Sequence, residues 1–155
     1  MSVFYSFHYD RDNWRVYQVM NMGVIEDSTP LLNHQDWEKV KRGGDQAIKN
    51  WIDRQMRYKS AVIVLVGLET ANRRWVRYEI RKAYQERKPL LGIRINGLKD
   101  RNGHTDPEGR NPFNLLGVDG LFVPLHVPSG WDSTARYDEI RRNIREWSQN
   151  GYVRP

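Results

Sequence analysis

Residues 61–68 read Ala-Val-Ile-Val-Leu-Val-Gly-Leu, with Ala61 to Val66 apolar at every position. A strand with one face in water alternates apolar and polar residues. One that is apolar throughout is buried on both faces, as in the middle of a parallel sheet covered by helices. On the N-terminal side, Gly43-Gly44 precede Ile48, Trp51, Ile52, Gln55 and Met56 at helical spacing, which predicts a helix over about Asp45 to Tyr58. On the C-terminal side, Gly67 to Arg73 reads as the exit loop. A helix is then predicted over Trp75 to Arg87, with Val76, Ile80 and Ala83 on one stripe and Pro89 as its stop. Leu90 to Ile95 is the next strand.

Further out, Val3 to Tyr9 (VFYSFHY) is dense in β-branched and aromatic residues and reads as a first strand. Asp10, Asp12 and Asn13 offer N-cap chemistry for a helix carrying Trp14, Tyr17 and Met20, which Asn21 or Gly23 ends. From Val24 to Asp36 a short strand followed by a loop is expected. Asn96 to Asn114, rich in Gly, Asn, Asp and Pro, reads as a long loop, a feature often tied to function. Leu121 to Val127 is predicted as a last strand. Asp132 or Ser133 caps a final helix, where Tyr137, Ile140, Ile144 and Trp147 form an apolar stripe.

Strands alternating with helices imply βαβ units. The expected fold is α/β, a flavodoxin-like three-layer sandwich with a mainly parallel sheet of four to five strands and helices on both faces. The length of 155 residues suits a single domain over residues 1–155. Ligands in such folds bind at the carboxyl ends of the strands. That rule selects His8 to Asp12, Gly67 to Trp75, and the segment from Asn96 onward.

Composition narrows the chemistry. The chain has no cysteine, which excludes disulfides, thiolate metal sites and a cysteine nucleophile, and fits a cytoplasmic location. The apolar run at 61–68 is far shorter than the roughly 20 residues that span a bilayer, and the first residues show no signal peptide. No membrane association is therefore expected. His8, His34, His104 and His126 have no metal-ligand spacing, so no metal site is expected. There is no Walker loop, no G-x-G-x-x-G and no G-x-S-x-G. Ser6 and His8 share a strand face without making a triad. The net charge of +6 favours anionic ligands, although 19 acidic residues are interspersed among 25 basic ones.

The segment that carries chemistry is Gly67-Leu-Glu-Thr-Ala-Asn-Arg-Arg-Trp-Val-Arg-Tyr-Glu79. Trp75 and Glu79, at i and i+4, share a helix face that borders the apolar stripe. On spacing alone, a solvated Glu79 paired with Lys82 outranks a functional one, and Trp75 is more often a packing anchor than a ligand platform.

Val3-Phe4-Tyr5-Ser6-Phe7-His8 followed by Tyr9-Asp10-Arg11-Asp12 resembles the opening box of TIR domains. The buried strand, the Thr70 loop and the Trp75-x-x-x-Glu79 pair resemble the family's central strand and W-x-x-x-E helix. The similarity covers about residues 3–97 and is nearest to the TIR-like branch that includes the signal-producing component of Thoeris anti-phage systems. The resemblance implies an NAD glycohydrolase or ADP-ribosyl cyclase. It would cleave the nicotinamide–ribose bond and release a cyclic ADP-ribose-type signal in antiviral defence. Glu79 would be the catalytic residue, and Ser6, Phe7, His8, Thr70, Arg74 and Trp75 would bind NAD, which is substrate and not cofactor. Implied partners are an effector protein that senses the nucleotide and further copies of this chain. Among these residues His8 reads equally as a capping or core histidine; Phe7 by residue type alone favours packing over stacking on a base; and Arg74 is one of a crowd with Arg73, Arg77 and Arg81. The chain departs from the family at the Arg-Asp…Pro-Gly loop, for which Asp27-Ser28-Thr29-Pro30 is the nearest stretch.

Two rivals stand beside the enzyme. One is a non-catalytic TIR-like interaction module, because fold alone does not choose between these uses. The other is nucleic-acid binding through Arg73, Arg74, Arg77, Arg81, Lys82 and Arg87 interleaved with Trp75, Tyr78 and Tyr84. Nucleic acid is not the expected partner, because the apolar members should face the sheet.

Overall fold

A computed structural model describes residues 1–28 and 34–155. Five strands, β1 (Ser2–Ser6), β2 (Asp27–Ser28), β3 (Ala61–Val66), β4 (Leu90–Arg94) and β5 (Leu125–His126), form one sheet in the order β2-β1-β3-β4-β5. All four pairings are parallel. The helices are α1 (Tyr9–Met20), α2 (His34–Arg42), α3 (Gly44–Met56), α4 (Arg74–Gln85) and α5 (Ser133–Gln149). This is the doubly wound order whose direction reverses between β1 and β3.

Side-chain alternation in the strands sorts the core into two layers. Val3, Tyr5, Ile63, Leu65, Leu91 and Ile93 pack with Val16 and Val19 of α1 and Ile140 and Ile144 of α5. Phe4, Val62, Val64, Val66 and Leu90 pack with Ile48, Ile52 and Met56 of α3 and Val76, Ile80 and Ala83 of α4. Every residue of β3 is fully buried, as the apolar run requires.

Several boundaries differ from the expectation. β1 stops at Ser6 and α1 starts at Tyr9, so the N-cap position is His8, whose side chain makes no capping bond; Asp10 and Asp12 lie in the first turn. Acidic residues suit that turn because the helix N-terminus carries positive charge. The short strand expected at Val24 and Ile25 lies instead at Asp27–Ser28, and the loop expected through Asp36 is helical from His34 onward. Thr29 and Pro30, part of the stretch compared with the family loop, lie outside the described residues. The helix expected to reach Arg87 ends at Gln85, with Arg87 in the left-handed region (φ 55°) ahead of Pro89. Residues Leu121 and Phe122, expected in the last strand, belong to two short 3₁₀ turns that span Pro112–Phe122 and join at Gly117 (φ 65°). Only Leu125 and His126 pair with β4. Asp132 caps α5 by accepting from the Ala135 N–H at 2.9 Å.

The long segment after β4 is tied down by one buried arginine. Arg15, on the inner face of α1, is 1% exposed. Its Nε donates to the Leu98 carbonyl at 2.8 Å and its Nη2 to the His104 carbonyl at 3.0 Å. Its Nη1 lies 3.0 Å from both Asp12 Oδ1 and Asp106 Oδ2. Arg11 adds exposed bridges to Glu69 and Asp106. The same segment meets the β3 exit backbone to backbone, because a Cβ at Gly109 would strike the carbonyls of Gly67 and Leu68. A Cβ at Gly67 would in turn strike the Asp12 carboxylate. Removing one partner of a buried ion pair leaves the others uncompensated. Arg15→Ala is therefore expected to cost about 3–5 kcal/mol of stability, read from urea unfolding. A loss under about 1 kcal/mol, as for an exposed pair, would show that Arg15 is not the clasp.

Candidate active site

The crevice lies at the switch point, where the ends of β1 and β3 diverge. Beyond β1 the chain runs through Phe7 and His8 into α1. Beyond β3 it turns at Gly67 and passes through a 3₁₀ turn, Thr70–Asn72, into α4. Thr70 is fully buried, and its Oγ1 accepts from the Gly67 N–H at 2.7 Å, which closes that turn and sets where α4 begins.

Glu79 occupies a place on the buried stripe of α4, with Val76, Ile80 and Ala83. It is 7% exposed. The Ser6 hydroxyl donates to its Oε1 at 2.7 Å, joining the end of β1 to the second turn of α4. No cation is paired with Glu79 among the described salt bridges. Lys82, the partner that spacing offered, bonds instead to Asp53 of α3 at 3.2 Å and to Glu86 at 2.9 Å. Burial pushes the Glu79 carboxyl from its ordinary 4.5 up to about 8, with the Ser6 hydrogen bond opposing that rise only in part. The group is therefore mainly neutral at pH 7.

Above this pair is a cleft of about 380 Å³, walled by Phe7, His8, Tyr9 and Asp10 from the β1 exit, Trp37 and Lys41 from α2, and Asn72 to Val76 from the start of α4. Its size falls in the usual range for ligand sites. Ser6 and Glu79 do not line the cleft. Phe7, next to Ser6, and Trp75, one turn before Glu79, do, so the buried pair adjoins two walls of the cleft. The aromatic rings run in a chain. Phe7 and Tyr9 have centroids 6.3 Å apart, and Tyr9 and Trp37 5.9 Å apart. Trp75 stands on the opposite wall, edge-on to Tyr78 at 5.6 Å. Three cations, Lys41, Arg73 and Arg74, border the cleft against one carboxylate, Asp10. Arg74 is exposed, pairs with Asp45 at 2.5 Å and covers the Trp75 ring at 4.6 Å. His8 is 8% exposed, and burial, then the charge of Arg73, lower its pKa. Neutral imidazole suits hydrogen bonding to a sugar hydroxyl better than charge pairing with phosphate.

Of the residues singled out in the sequence, Phe7, His8, Arg74 and Trp75 line the cleft, and Ser6 and Glu79 adjoin its walls. Thr70 is turned inward to the loop it closes. Tyr9, Asp10, Asn72 and Arg73 fall within the two strand-end segments that the sequence selects without being singled out there, whereas Trp37 and Lys41 were missed altogether. The signal for those two existed, since Trp37 and Lys41 stand at i and i+4 in a nine-residue helix. The basic surface considered for nucleic acid is divided, with Lys82 neutralised against α3 and Arg74 by Asp45. Among the described residues no group of three His, Cys, Asp or Glu side chains could hold a metal ion. Likewise no helix is long and apolar enough to cross a membrane.

Comparison with known proteins gives two findings. Residues 4–100 match the family model described as the TIR-like domain of Thoeris protein ThsB. A protein of Bacillus cereus (strain MSX-D12) named "Putative cyclic ADP-D-ribose synthase ThsB1" is 40% identical over 136 residues, covering 83% of this chain and 71% of that protein.

The raised carboxyl has a thermodynamic signature. Between pH 4.5 and about 8 the folded chain holds a proton on Glu79 that the unfolded chain gives up. The associated stability is complete below pH 4.5 and is lost as pH rises through about 8. Urea midpoints of the wild type should therefore fall across this interval. Glu79→Gln should flatten the fall and be the more stable protein at the alkaline end. Parallel slopes in the two proteins would show that Glu79 is ionised in the folded state.

Proposed function

The chain belongs to the family of the Thoeris protein ThsB TIR-like domain, and from that premise we propose that it cleaves NAD between nicotinamide and ribose and closes the remaining ADP-ribose into a cyclic signal for anti-phage defence. One observation above all supports this: a buried carboxyl, held by a hydroxyl from β1, adjoins an aromatic and basic cleft at the switch point of the sheet. The name carried by the Bacillus cereus relative agrees with that chemistry. The nucleotide would then act through a separate effector protein that senses it.

The reaction asks little acid chemistry of the protein. Nicotinamide is bound to ribose as a pyridinium cation. When the C–N bond breaks, the electron pair stays on the ring nitrogen and nicotinamide leaves neutral, so no acid is needed to protonate it. Positive charge develops on the ribose as oxocarbenium character. A carboxylate close to the ribose stabilises that charge. Neutral Glu79 becomes that carboxylate when the substrate's cation arrives, releasing its proton to solvent, because an adjacent positive charge favours the ionised form. Ser6 keeps the carboxyl oriented in both states. Phe7 and Trp75 offer faces to the rings, and Arg73 and Arg74 suit the pyrophosphate. NAD is thus consumed as substrate.

The test is incubation of the purified protein with NAD, with and without infected-cell extract, measuring free nicotinamide and cyclic product. Loss of a transition-state stabiliser costs about 10²–10³ in rate, so Glu79→Gln should lower turnover by at least about 100-fold. Equal product from both proteins would assign the chemistry to another group. Because the ionised form acts, kcat/KM should rise with pH and level off above about 8. The profile of kcat should turn at lower pH, since bound substrate cation favours the carboxylate. A kcat/KM that falls through this range would make the neutral acid the active form.

A further inference from the structure

The walls of the cleft differ in what they touch. The β1 exit and the start of α4 adjoin the Ser6–Glu79 pair. The third wall, α2, does not, yet it presents an aromatic ring and a cation one helical turn apart. Trp37 is half-buried and held from two sides. Its ring lies 5.9 Å from Tyr9 at 38°, and 5.9 Å from Trp51 of α3 at 64°. A side chain wedged in this way keeps its orientation without a ligand, which lowers the entropy lost when a ring stacks on it. Lys41 carries its ammonium 5.9 Å from the Trp37 ring centroid and 2.8 Å from Glu38. That surface pair is weakly held and exchanges readily for a phosphate.

A planar, fixed aromatic with a cation beside it is the recognition chemistry of a nucleotide base and its phosphate. Trp75 is one turn from Glu79 and belongs with the ribose being cleaved. Trp37, across the cleft, is free for the other base.

We propose that Trp37 and Lys41 of α2 seat the adenylate half of the substrate, Trp37 stacking on the purine and Lys41 holding the adjoining phosphate, so that α2 fixes whether the cleaved ribose is closed into a ring or hydrolysed. This rests on the chain being the NAD-cleaving enzyme proposed above. The balance of the step is simple. The carbon–nitrogen bond to nicotinamide breaks with its electron pair on nicotinamide. The new bond to that ribose carbon comes from an atom of the adenosine half when α2 holds it overhead, or from water oxygen when it does not. Any proton shed by the nucleophile passes to solvent. Holding the adenosine there also excludes the competing water.

Binding and product distribution test this separately. Calorimetry on the Glu79→Gln protein measures affinity for ADP-ribose and for nicotinamide mononucleotide, which lacks the adenylate half. Loss of one base–aromatic stack corresponds to about 5- to 150-fold. Trp37→Ala should weaken ADP-ribose binding by that factor and leave the mononucleotide unchanged. Trp37→Phe, which keeps an aromatic face and most of the packing, should restore most of the affinity. Lys41→Gln should weaken ADP-ribose binding and flatten its salt dependence. In the Glu79 background that turns over, Trp37→Ala should shift product from cyclic to linear ADP-ribose. The proposal is overturned by unchanged ADP-ribose binding in Trp37→Ala, by equal weakening of both ligands, or by an unaltered product ratio. Failure of the wild type to release nicotinamide, with ADP-ribose binding still dependent on Trp37, would instead remove the cleavage reading and keep the adenylate seat.

Discussion

The site depends on one hydrogen bond, from the Ser6 hydroxyl to the Glu79 carboxyl, made where an apolar layer would ordinarily continue. A charged carboxylate at that place would need an ion partner or several donors. The described residues give it one hydroxyl, so the protein keeps the group as the neutral acid. Placing an ionisable residue on the buried stripe of α4 is a cost that packing alone does not explain. Leucine or methionine there would complete the layer formed by Val76, Ile80 and Ala83. A residue that defeats the local rule at a cleft is the kind of exception that marks function.

The fold separates the parts that fix this bond from the parts that surround it. β1 and β3 pair in register over Val3 to Ser6, and α4 packs over both through its apolar stripe, so Ser6 and Glu79 belong to the most buried elements. The Arg15 clasp holds the segment after β4 against the β3 exit, keeping Gly67 and the Thr70 turn in place from the far side. Thr70 links the two, since its hydroxyl bonds the Gly67 N–H and its turn launches α4. The carboxyl is thereby positioned by rigid neighbours rather than by loops, the condition for a precise site.

How much of this the sequence discloses depends on which signal each residue carries. β3 is legible because six apolar residues in a row have one physical explanation. α4 and α5 are legible from their stripes, and the parallel α/β architecture follows from the alternation. The pairing of Ser6 with Glu79 is not, because residues 73 positions apart meet only through the sheet. Spacing therefore placed the carboxylate with Lys82, which in fact turns to α3. The Arg15 clasp is hidden for the same reason: an arginine in a charged helix looks solvated until the loop it anchors is folded over it. α2 escaped notice because only Trp37 and Val40 of its nine residues are apolar, and its tryptophan is anchored by rings from α1 and α3. The last strand was misplaced because Leu121 and Phe122 suit a strand by type, whereas Gly117 and Gly120 permit the tight turns that claim them.

The basic balance of the chain also takes on meaning at the cleft. Under the proposed chemistry NAD brings negative pyrophosphate and a positive pyridinium, to which the cleft offers cations at its border and a neutral acid near its wall. As the neutral acid, Glu79 leaves those cations to the phosphates. Under the proposed chemistry, the one charge on the substrate that needs a carboxylate is then the one that creates it. The positive border thus suits the anionic end of such a substrate, and the buried acid suits its cationic end.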